Sequence, residues 1–166
     1  ALLIARNKLY QNSQQQGLPI NKPVLIIPDG IAHYSIWNSL GWIGIGEENI
    51  IRVKTKNFQY DIKCLKKTIK KLKADNTPIL SIVAVLGDSY TMSIENIFEI
   101  RKICDKHKIW LHGDGANGGV LIFSKQFRNK IKGIHLCDSV SLDPHKGLGL
   151  NYPTSLFLCK NTEDFK

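Results

Sequence analysis

Four short segments of the sequence carry side chains that could do chemistry, and each follows an apolar run of strand length. They are residues 29–33, 87–89, 112–116 and 143–146, and they contain aspartate, histidine, serine, glycine and lysine. In an open parallel sheet the turns after the strands meet at one edge, where ligands bind. A single polar turn would mean little, but four that converge predict a functional site.

Two kinds of chemistry fit these side chains, and the first pairs Lys146 with Asp114. A lysine at a desolvated strand end can act as a nucleophilic amine that forms a Schiff base. An aspartate that faces it can keep a heterocyclic nitrogen protonated. Proteins use such a pair to make pyridoxal phosphate an electron sink.

The second kind of chemistry is a divalent metal site. His112 and Asp114 form a His-x-Asp pair after one predicted strand, and Asp143 and His145 form the reverse pair after the next. Residues two apart on a strand point to the same side, so the two pairs could supply nitrogen and oxygen ligands. A metal-dependent hydrolase would leave Lys146 without a role. From the residues alone both alternatives stay open.

The elements that position these segments alternate between strand and helix. Short apolar runs predict strands at 24–27, 50–53, 79–86, 109–111, 140–142 and 155–159. Helical spacing and helix-end signals predict helices at 1–16, 34–40, 61–74 and 93–107. This order requires βαβ crossovers, so we predict an α/β protein with a mainly parallel, buried sheet flanked by helices.

Composition predicts one soluble domain. The chain has 166 residues, 43% of them hydrophobic, which is enough for one core and too apolar for disorder. No apolar run approaches the roughly 20 residues of a membrane-spanning helix, and residues 1–5 lack the features of a signal peptide. The four cysteines form no Cys-x-x-Cys pair, which favours packed thiols in a reducing, cytoplasmic compartment. We therefore expect no membrane partner.

The net charge of +9 is predicted to reflect solvated lysines and not a nucleic-acid site. Many of the lysines lie in residues 61–74, where apolar residues recur at i, i+3, i+7 and i+10 as on the buried stripe of an amphipathic helix. The lysines take the remaining face of that helix. No aromatic residues alternate with them, as they would on a nucleic-acid-binding surface.

Taken in order, the motifs resemble those of one enzyme family. Residues 33–35, 87–89, 109–119 and 138–146 resemble, in order and spacing, the group II pyridoxal-phosphate-dependent amino-acid decarboxylases. That family includes the glutamate, aromatic amino acid, histidine and cysteine sulfinate decarboxylases. The resemblance covers nearly the whole chain, and it implies the three-layer fold type I shared with aminotransferases, a homodimer and pyridoxal 5′-phosphate as cofactor.

The resemblance implies catalytic roles for two residues and cofactor contacts for others. Lys146 matches the lysine that holds the cofactor as a Schiff base, and Asp114 matches the carboxylate paired with the pyridine nitrogen. Ala116 matches the small residue on one ring face. His33 matches the histidine stacked on the other face, which also positions the substrate.

Three further residues match the family at the edge of the cofactor. Ser89 matches a hydroxyl position beside it, and Asp143 and His145 match the polar residues before the lysine, near the phosphate. The implied reaction is decarboxylation of an L-amino acid to its amine and carbon dioxide. Another fold type I enzyme, such as an aminotransferase, is the alternative within this fold.

The chain also departs from the family pattern. Gly113 and Gly115 stand where valine and alanine are common, Asn117 replaces a frequent aromatic residue, and Gly147 replaces a bulky one. Asp88 is unusual because a carboxylate near a phosphate is repulsive unless it points away. These departures bear on the substrate class more than on the cofactor.

Length is the largest departure, since family members run to several hundred residues. We expect residues 1–166 to be the central part of the pyridoxal-phosphate-binding large domain, without the start of the phosphate loop and without the C-terminal domain. Such a piece is expected to have little or no activity by itself.

Overall fold

A six-stranded sheet forms the centre of the protein, seen in a computed structural model that describes residues 1–165. In chain order the strands are β1 (Val24–Pro28), β2 (Ile50–Val53), β3 (Thr55–Lys56), β4 (Gln59–Tyr60), β5 (Ile79–Val85), β6 (Trp110–Asp114), β7 (Ser139–Leu142) and β8 (Leu156–Cys159). The sheet order is β2-β1-β5-β6-β7-β8, with every pair parallel except β7 with β8. The mainly parallel sheet predicted from the sequence is confirmed.

Helices cover both faces of this sheet and make three layers. They are α1 (Leu2–Leu9), α2 (Ser13–Gln16), α3 (Ser35–Trp42), α4 (Ile62–Ala74), α5 (Ile97–His107) and α6 (Pro144–Gly147). Short 3₁₀ turns lie at Gly118–Phe123, Arg128–Ile131, Ile134–Leu136 and Thr162–Phe165. Buried residues of α4 and α5 pack on one face, and those of α1 and α3 pack on the other.

Helix α4 has the amphipathic pattern that the sequence predicts. Leu65 and Ile69 are fully buried and Leu72 nearly so, whereas the lysines of the helix are exposed. The Asp61 carboxylate caps the helix by accepting hydrogen bonds from the N–H groups of Lys63 and Cys64, at 2.9 and 3.1 Å. The lysine-rich segment is therefore a solvated helix face.

Three predicted helices differ from the structure by more than one residue, and β6 continues to Asp114, beyond the predicted end at residue 111. The first predicted helix is two helices, because the chain breaks between Leu9 and Ser13. Helix α3 continues through Gly41 to Trp42. The helix predicted at 93–107 begins only at Ile97, because the residues before it are held in other contacts, and Asn96 caps it through its side chain.

The hairpin of β3 and β4 was not predicted, and it explains the late start of α5. Glu95 is buried, and its two carboxylate oxygens accept the N–H of Tyr60 at 3.1 and 3.0 Å. The Ser93 hydroxyl donates to the carbonyl of Phe58, at 2.9 Å. Strands of two residues have no periodic pattern, so contacts distant in sequence decide this segment.

The buried Glu95 predicts a loss of stability as the pH rises from about 4.5 to about 8. Burial raises its pKa to about 8 from 4.5, although the Tyr60 N–H acts in the opposite direction. The folded protein therefore binds more protons than the unfolded chain between these two values, and its free energy of unfolding falls as pH rises through that window. Glu95→Gln keeps an acceptor without the charge. At about pH 8 it should be more stable than the wild type by on the order of a few kcal/mol.

Denaturant unfolding at pH 5 and pH 8 (about the ends of the window) measures this effect. The advantage of Glu95→Gln should shrink at the lower pH. Glu48→Gln, which neutralises an exposed carboxylate, should show no comparable change with pH. An advantage of Glu95→Gln that is the same at both pH values would contradict the prediction.

Two of the four cysteines lie in the core. The free thiols of Cys104 and Cys137 are buried, which raises the pKa of each to about 12 and keeps them protonated. They pack as small apolar side chains, as predicted.

Within residues 1–165, no helix has both the length and the apolar character needed to cross a membrane.

Candidate active site

A large cleft opens at the carboxyl ends of the parallel strands, with a volume of about 1250 Å³. The four polar segments singled out in the sequence meet there. All seven residues that the family resemblance places around a cofactor line this cleft: His33, Ser89, Asp114, Ala116, Asp143, His145 and Lys146. Their proximity is a fact of the fold, and their roles stay predictions.

Asp114 ends β6 and is half-buried at the edge of the sheet. Its Oδ1 accepts the N–H of Ala116 at 3.3 Å and the hydroxyl of Ser141, on neighbouring β7, at 3.4 Å. No group within residues 1–165 donates a hydrogen bond to its Oδ2. The carboxylate is thus held by one oxygen and can receive a donor from a ligand on the other.

Lys146 lies in the short helix α6, which follows β7 directly. Its Nζ forms an ion pair with Asp143 Oδ2 at 2.9 Å, and 39% of its side chain is exposed. Burial acts to raise the pKa of Asp143, but hydrogen bonds from Ser155 and Lys146 outweigh it and hold that pKa below its ordinary value. An ionised carboxylate therefore holds the lysine amine at the cleft.

The ring of His145 is oriented by contacts on the same side of the cleft. Its Nδ1 lies 2.7 Å from the carbonyl oxygen of Thr154 and 3.3 Å from the backbone nitrogen of the same residue. The Tyr152 ring packs edge-on against it, with ring centroids 4.9 Å apart. The imidazole is fixed in orientation before any ligand binds.

His33 and Ser89 lie on strand-end loops and are exposed. Nδ1 of His33 lies 2.8 Å from Ser35 Oγ and accepts the N–H of Ser35 at 3.3 Å. Gly30, in the turn before His33, has a φ of +78°, a conformation that favours glycine. His33 therefore presents a ring whose Nδ1 is already engaged.

Asp88 borders the cleft, but its carboxylate is bound by the N–H groups of its own turn. Its carboxylate accepts the N–H groups of Tyr90, Thr91 and Ser93 at 2.8, 2.8 and 3.0 Å, and it also bonds the Thr91 hydroxyl. Burial acts to raise its pKa, but these bonds lower it. The carboxylate points into its own turn, which removes the expected repulsion.

Two of the unusual glycines have a steric reason. A Cβ on Gly115 would lie 2.8 Å from the carbonyl oxygen of Ser141, so the chain beyond β6 passes too close to β7 for a side chain. A Cβ on Gly147 would lie 2.5 Å from Val120 Cγ2. These glycines permit close packing beside Asp114 and Lys146.

The four residues of the metal hypothesis do not form a ligand set. His112 Nδ1 lies 3.0 Å from the Ser139 hydroxyl, and His145 Nδ1 bonds Thr154. In the described part of the chain, no group of three or more His, Cys, Asp or Glu residues is arranged to hold a metal ion. Lys146, which the metal hypothesis leaves without a role, lines the same cleft as Asp114.

Sequence reasoning missed the hydroxyl groups that support the site. Ser139 and Ser141 hold His112 and Asp114, and Ser155 bonds Asp143. A signal was present, because the serines of Ser-Val-Ser-Leu alternate and must share one face of β7. The predicted site contained mainly titratable residues, and these serines were not among them.

Comparison with known proteins identifies the family. The profile of the pyridoxal-dependent decarboxylase conserved domain matches residues 1–166. The chain belongs to the pyridoxal-dependent decarboxylase family. The resemblance drawn from the motifs is thereby confirmed.

Relatives in this family match the chain over nearly its whole length. L-2,4-diaminobutyrate decarboxylase of Acinetobacter baumannii is 32% identical over 171 residues, which cover 98% of this chain and 34% of that protein. Acidic amino acid decarboxylase GADL1 of Bos taurus is 30% identical over 165 residues, 99% of this chain and 32% of that one. The chain spans about a third of the length of these curated decarboxylases.

A solved decarboxylase structure shares the fold. The glutamate decarboxylase domain of diaminobutyrate-pyruvate transaminase and L-2,4-diaminobutyrate decarboxylase from Vibrio parahaemolyticus is 29% identical, with a TM-score of 0.91. The match covers 99% of this chain and 37% of that one. The expected fold, part of a fold type I decarboxylase domain, is confirmed.

Proposed function

We propose that the protein is a pyridoxal-phosphate-dependent decarboxylase that converts an L-amino acid to its amine and carbon dioxide. One observation carries the proposal. In this chain, which belongs to the family, the Lys146 amine and the Asp114 carboxylate line one cleft beyond neighbouring strands. Asp114 accepts hydrogen bonds from the described residues through Oδ1.

The residues of the cleft fit the cofactor. An aldehyde needs an amine, which Lys146 supplies, and a pyridine nitrogen needs an acceptor, which Asp114 Oδ2 can supply. A flat ring needs flat or small neighbours, and His33 and Ala116 both line the cleft. The ion pair of Lys146 with Asp143 keeps the amine at the site before the cofactor binds.

The chemistry divides between cofactor and protein. Bound pyridoxal phosphate supplies a sink for the electrons that remain when carbon dioxide leaves. Lys146 would hold the cofactor covalently through its amine. Asp114 would keep a proton on the ring nitrogen by charge pairing, which is stronger in a partly desolvated site than in water.

The remaining residues orient cofactor and substrate. By the family resemblance, His33 would stack on the ring and position the amino acid, and Ala116 would leave room on the other face. His145 and Asp143 would help to hold the phosphate, and the exposed Ser89 hydroxyl would contact the cofactor. Homodimer formation, cytoplasmic location and the placement of residues 1–166 within the large domain stay predictions.

Borohydride trapping tests the proposal on the full-length protein. After incubation with pyridoxal phosphate, reduction and digestion, mass spectrometry should find one phosphopyridoxyl group, on the peptide with Lys146. Lys146→Arg should lose this label, and Lys125→Arg, at an exposed lysine outside the cleft, should keep it. A label elsewhere, or none, would overturn the proposal.

Product analysis then distinguishes the reaction. The full-length protein is loaded with pyridoxal phosphate, left unreduced, and incubated with glutamate, cysteine sulfinate, 2,4-diaminobutyrate or aromatic amino acids. Release of carbon dioxide and the amine supports decarboxylation. An oxo acid formed without carbon dioxide would replace the proposal with an aminotransferase.

A further inference from the structure

Two matched pairs of side chains cross from β6 to β7 on one face of the sheet. His112 lies opposite Ser139 and Asp114 lies opposite Ser141 in the strand register. Trp110 precedes His112 by two residues, so it shares that face. Trp110, His112 and Asp114 therefore form a row along β6 that begins at the buried tryptophan and ends at the cleft.

Hydrogen-bond donors set the direction of the first pair. Trp110 Nε1 can only donate, and it lies 2.9 Å from Ser139 Oγ. The Ser139 hydroxyl is therefore free to donate to His112 Nδ1, at 3.0 Å. If the hydroxyl donates this bond, Nδ1 has no proton and Nε2 carries it. We call Trp110, Ser139 and His112 the His112 relay.

The relay ends in a neutral donor. Its three side chains are buried, with His112 7% exposed and Ser139 1%. Burial lowers the pKa of His112 to about 4, although the charge of Asp114 acts to raise it. A hydrogen bond with the Ser139 backbone also acts to raise this pKa, and His112 lines the cleft.

We propose that Ser139 donates to His112 Nδ1, and that the His112 relay thereby makes His112 a positioning residue for Asp114, by presenting a neutral N–H at the cleft in place of a positive charge. A positively charged imidazolium beside Asp114 would attract the carboxylate of Asp114. That attraction would weaken the interaction of Asp114 with a ring nitrogen. The other neutral tautomer would turn a lone pair toward the cleft. This inference rests on the role proposed for Asp114.

The first test reads the tautomer of His112 in the cofactor-free, full-length protein by ¹⁵N NMR of the imidazole. The wild type should show only the Nε2–H form, and Ser139→Ala should show a mixture of both. The control is Ser81→Ala, which removes a fully buried strand hydroxyl that donates to a backbone carbonyl, at 2.9 Å. An unchanged tautomer in Ser139→Ala would overturn the inference.

The second test measures the dissociation constant and absorbance of bound pyridoxal phosphate. Ser139→Ala and His112→Leu should each weaken binding about tenfold, comparable to the loss of one buried hydrogen bond. His112→Gln keeps a neutral N–H and should restore most of the affinity. The pH at which the bound cofactor's spectrum changes should fall by about one unit in the two weakened variants. A purely structural role would leave that pH unchanged.

Asp114→Asn separates failure of this inference from failure of the proposed function. If Asp114→Asn leaves cofactor affinity and spectrum unchanged, the role proposed for Asp114 is wrong. If Asp114→Asn weakens both but Ser139→Ala behaves like Ser81→Ala, only the positioning role of His112 is wrong.

Discussion

Lys146→Ala is expected to lower the turnover of the full-length protein by about 10³-fold or more. Among the described residues that line the cleft, Lys146 is the one lysine, so no other lysine there can take its place. Loss of the amine removes covalent attachment of the cofactor. Carbon dioxide release and the absorbance of bound cofactor measure the effect.

Lys146→Arg serves as the matched variant for this prediction. Arginine keeps a cation for Asp143, whose carboxylate now lies 2.9 Å from the lysine amine. It cannot supply a nucleophilic amine, because it is not deprotonated in proteins. Both variants should therefore be inactive although only one loses the ion pair. Substantial turnover by Lys146→Arg would show that the lysine acts as a charge and not as a nucleophile.

Asp114→Asn is expected to lower kcat/KM by about 10²–10³-fold, the usual effect of removing one electrostatic contact at a reacting centre. Asparagine has the same shape, and its oxygen can still accept the N–H of Ala116 and the hydroxyl of Ser141. The fold of the site should therefore persist. What is lost is the negative charge that keeps a ring nitrogen protonated.

Steady-state kinetics of Asp114→Asn and of Asp29→Asn measure this prediction. Asp29 is an exposed carboxylate on the same cleft, so its neutralisation changes the overall potential and leaves the pairing intact. Asp29→Asn should stay close to the wild type. Equal losses in the two variants would mean that general negative potential, and not pairing at Asp114, supports the reaction.

Most of the fold was predictable because its elements are locally periodic. Helix α4 is recognisable from Leu65, Ile69 and Leu72, which repeat at helical spacing and are buried. Strand β5 is recognisable as a continuous apolar run, and all its residues are buried. The β3–β4 hairpin was not predictable, since Tyr60 and Glu95, 35 residues apart, hold it.

Within the site, residue types were predictable and their hydrogen-bond partners were not. The motifs that contain Asp114 and Lys146 can be recognised in the sequence, because chemistry requires those side chains after strands. That Asp88 turns into its own loop depends on three N–H groups that only the folded turn brings together. The same holds for the ion pair of Asp143 with Lys146.

The sequence by itself determined the α/β class, the strand-end segments and the family, because periodicity and motif order are local properties of the chain. Only the tertiary structure decided which strands are neighbours, and with that the pairing of His112 with Ser139 and of Asp114 with Ser141. The proton position inferred for His112 depends on that register, since the Ser139 hydroxyl that contacts Nδ1 lies on the adjacent strand. Contacts between distant residues carry this information, and no local pattern encodes them.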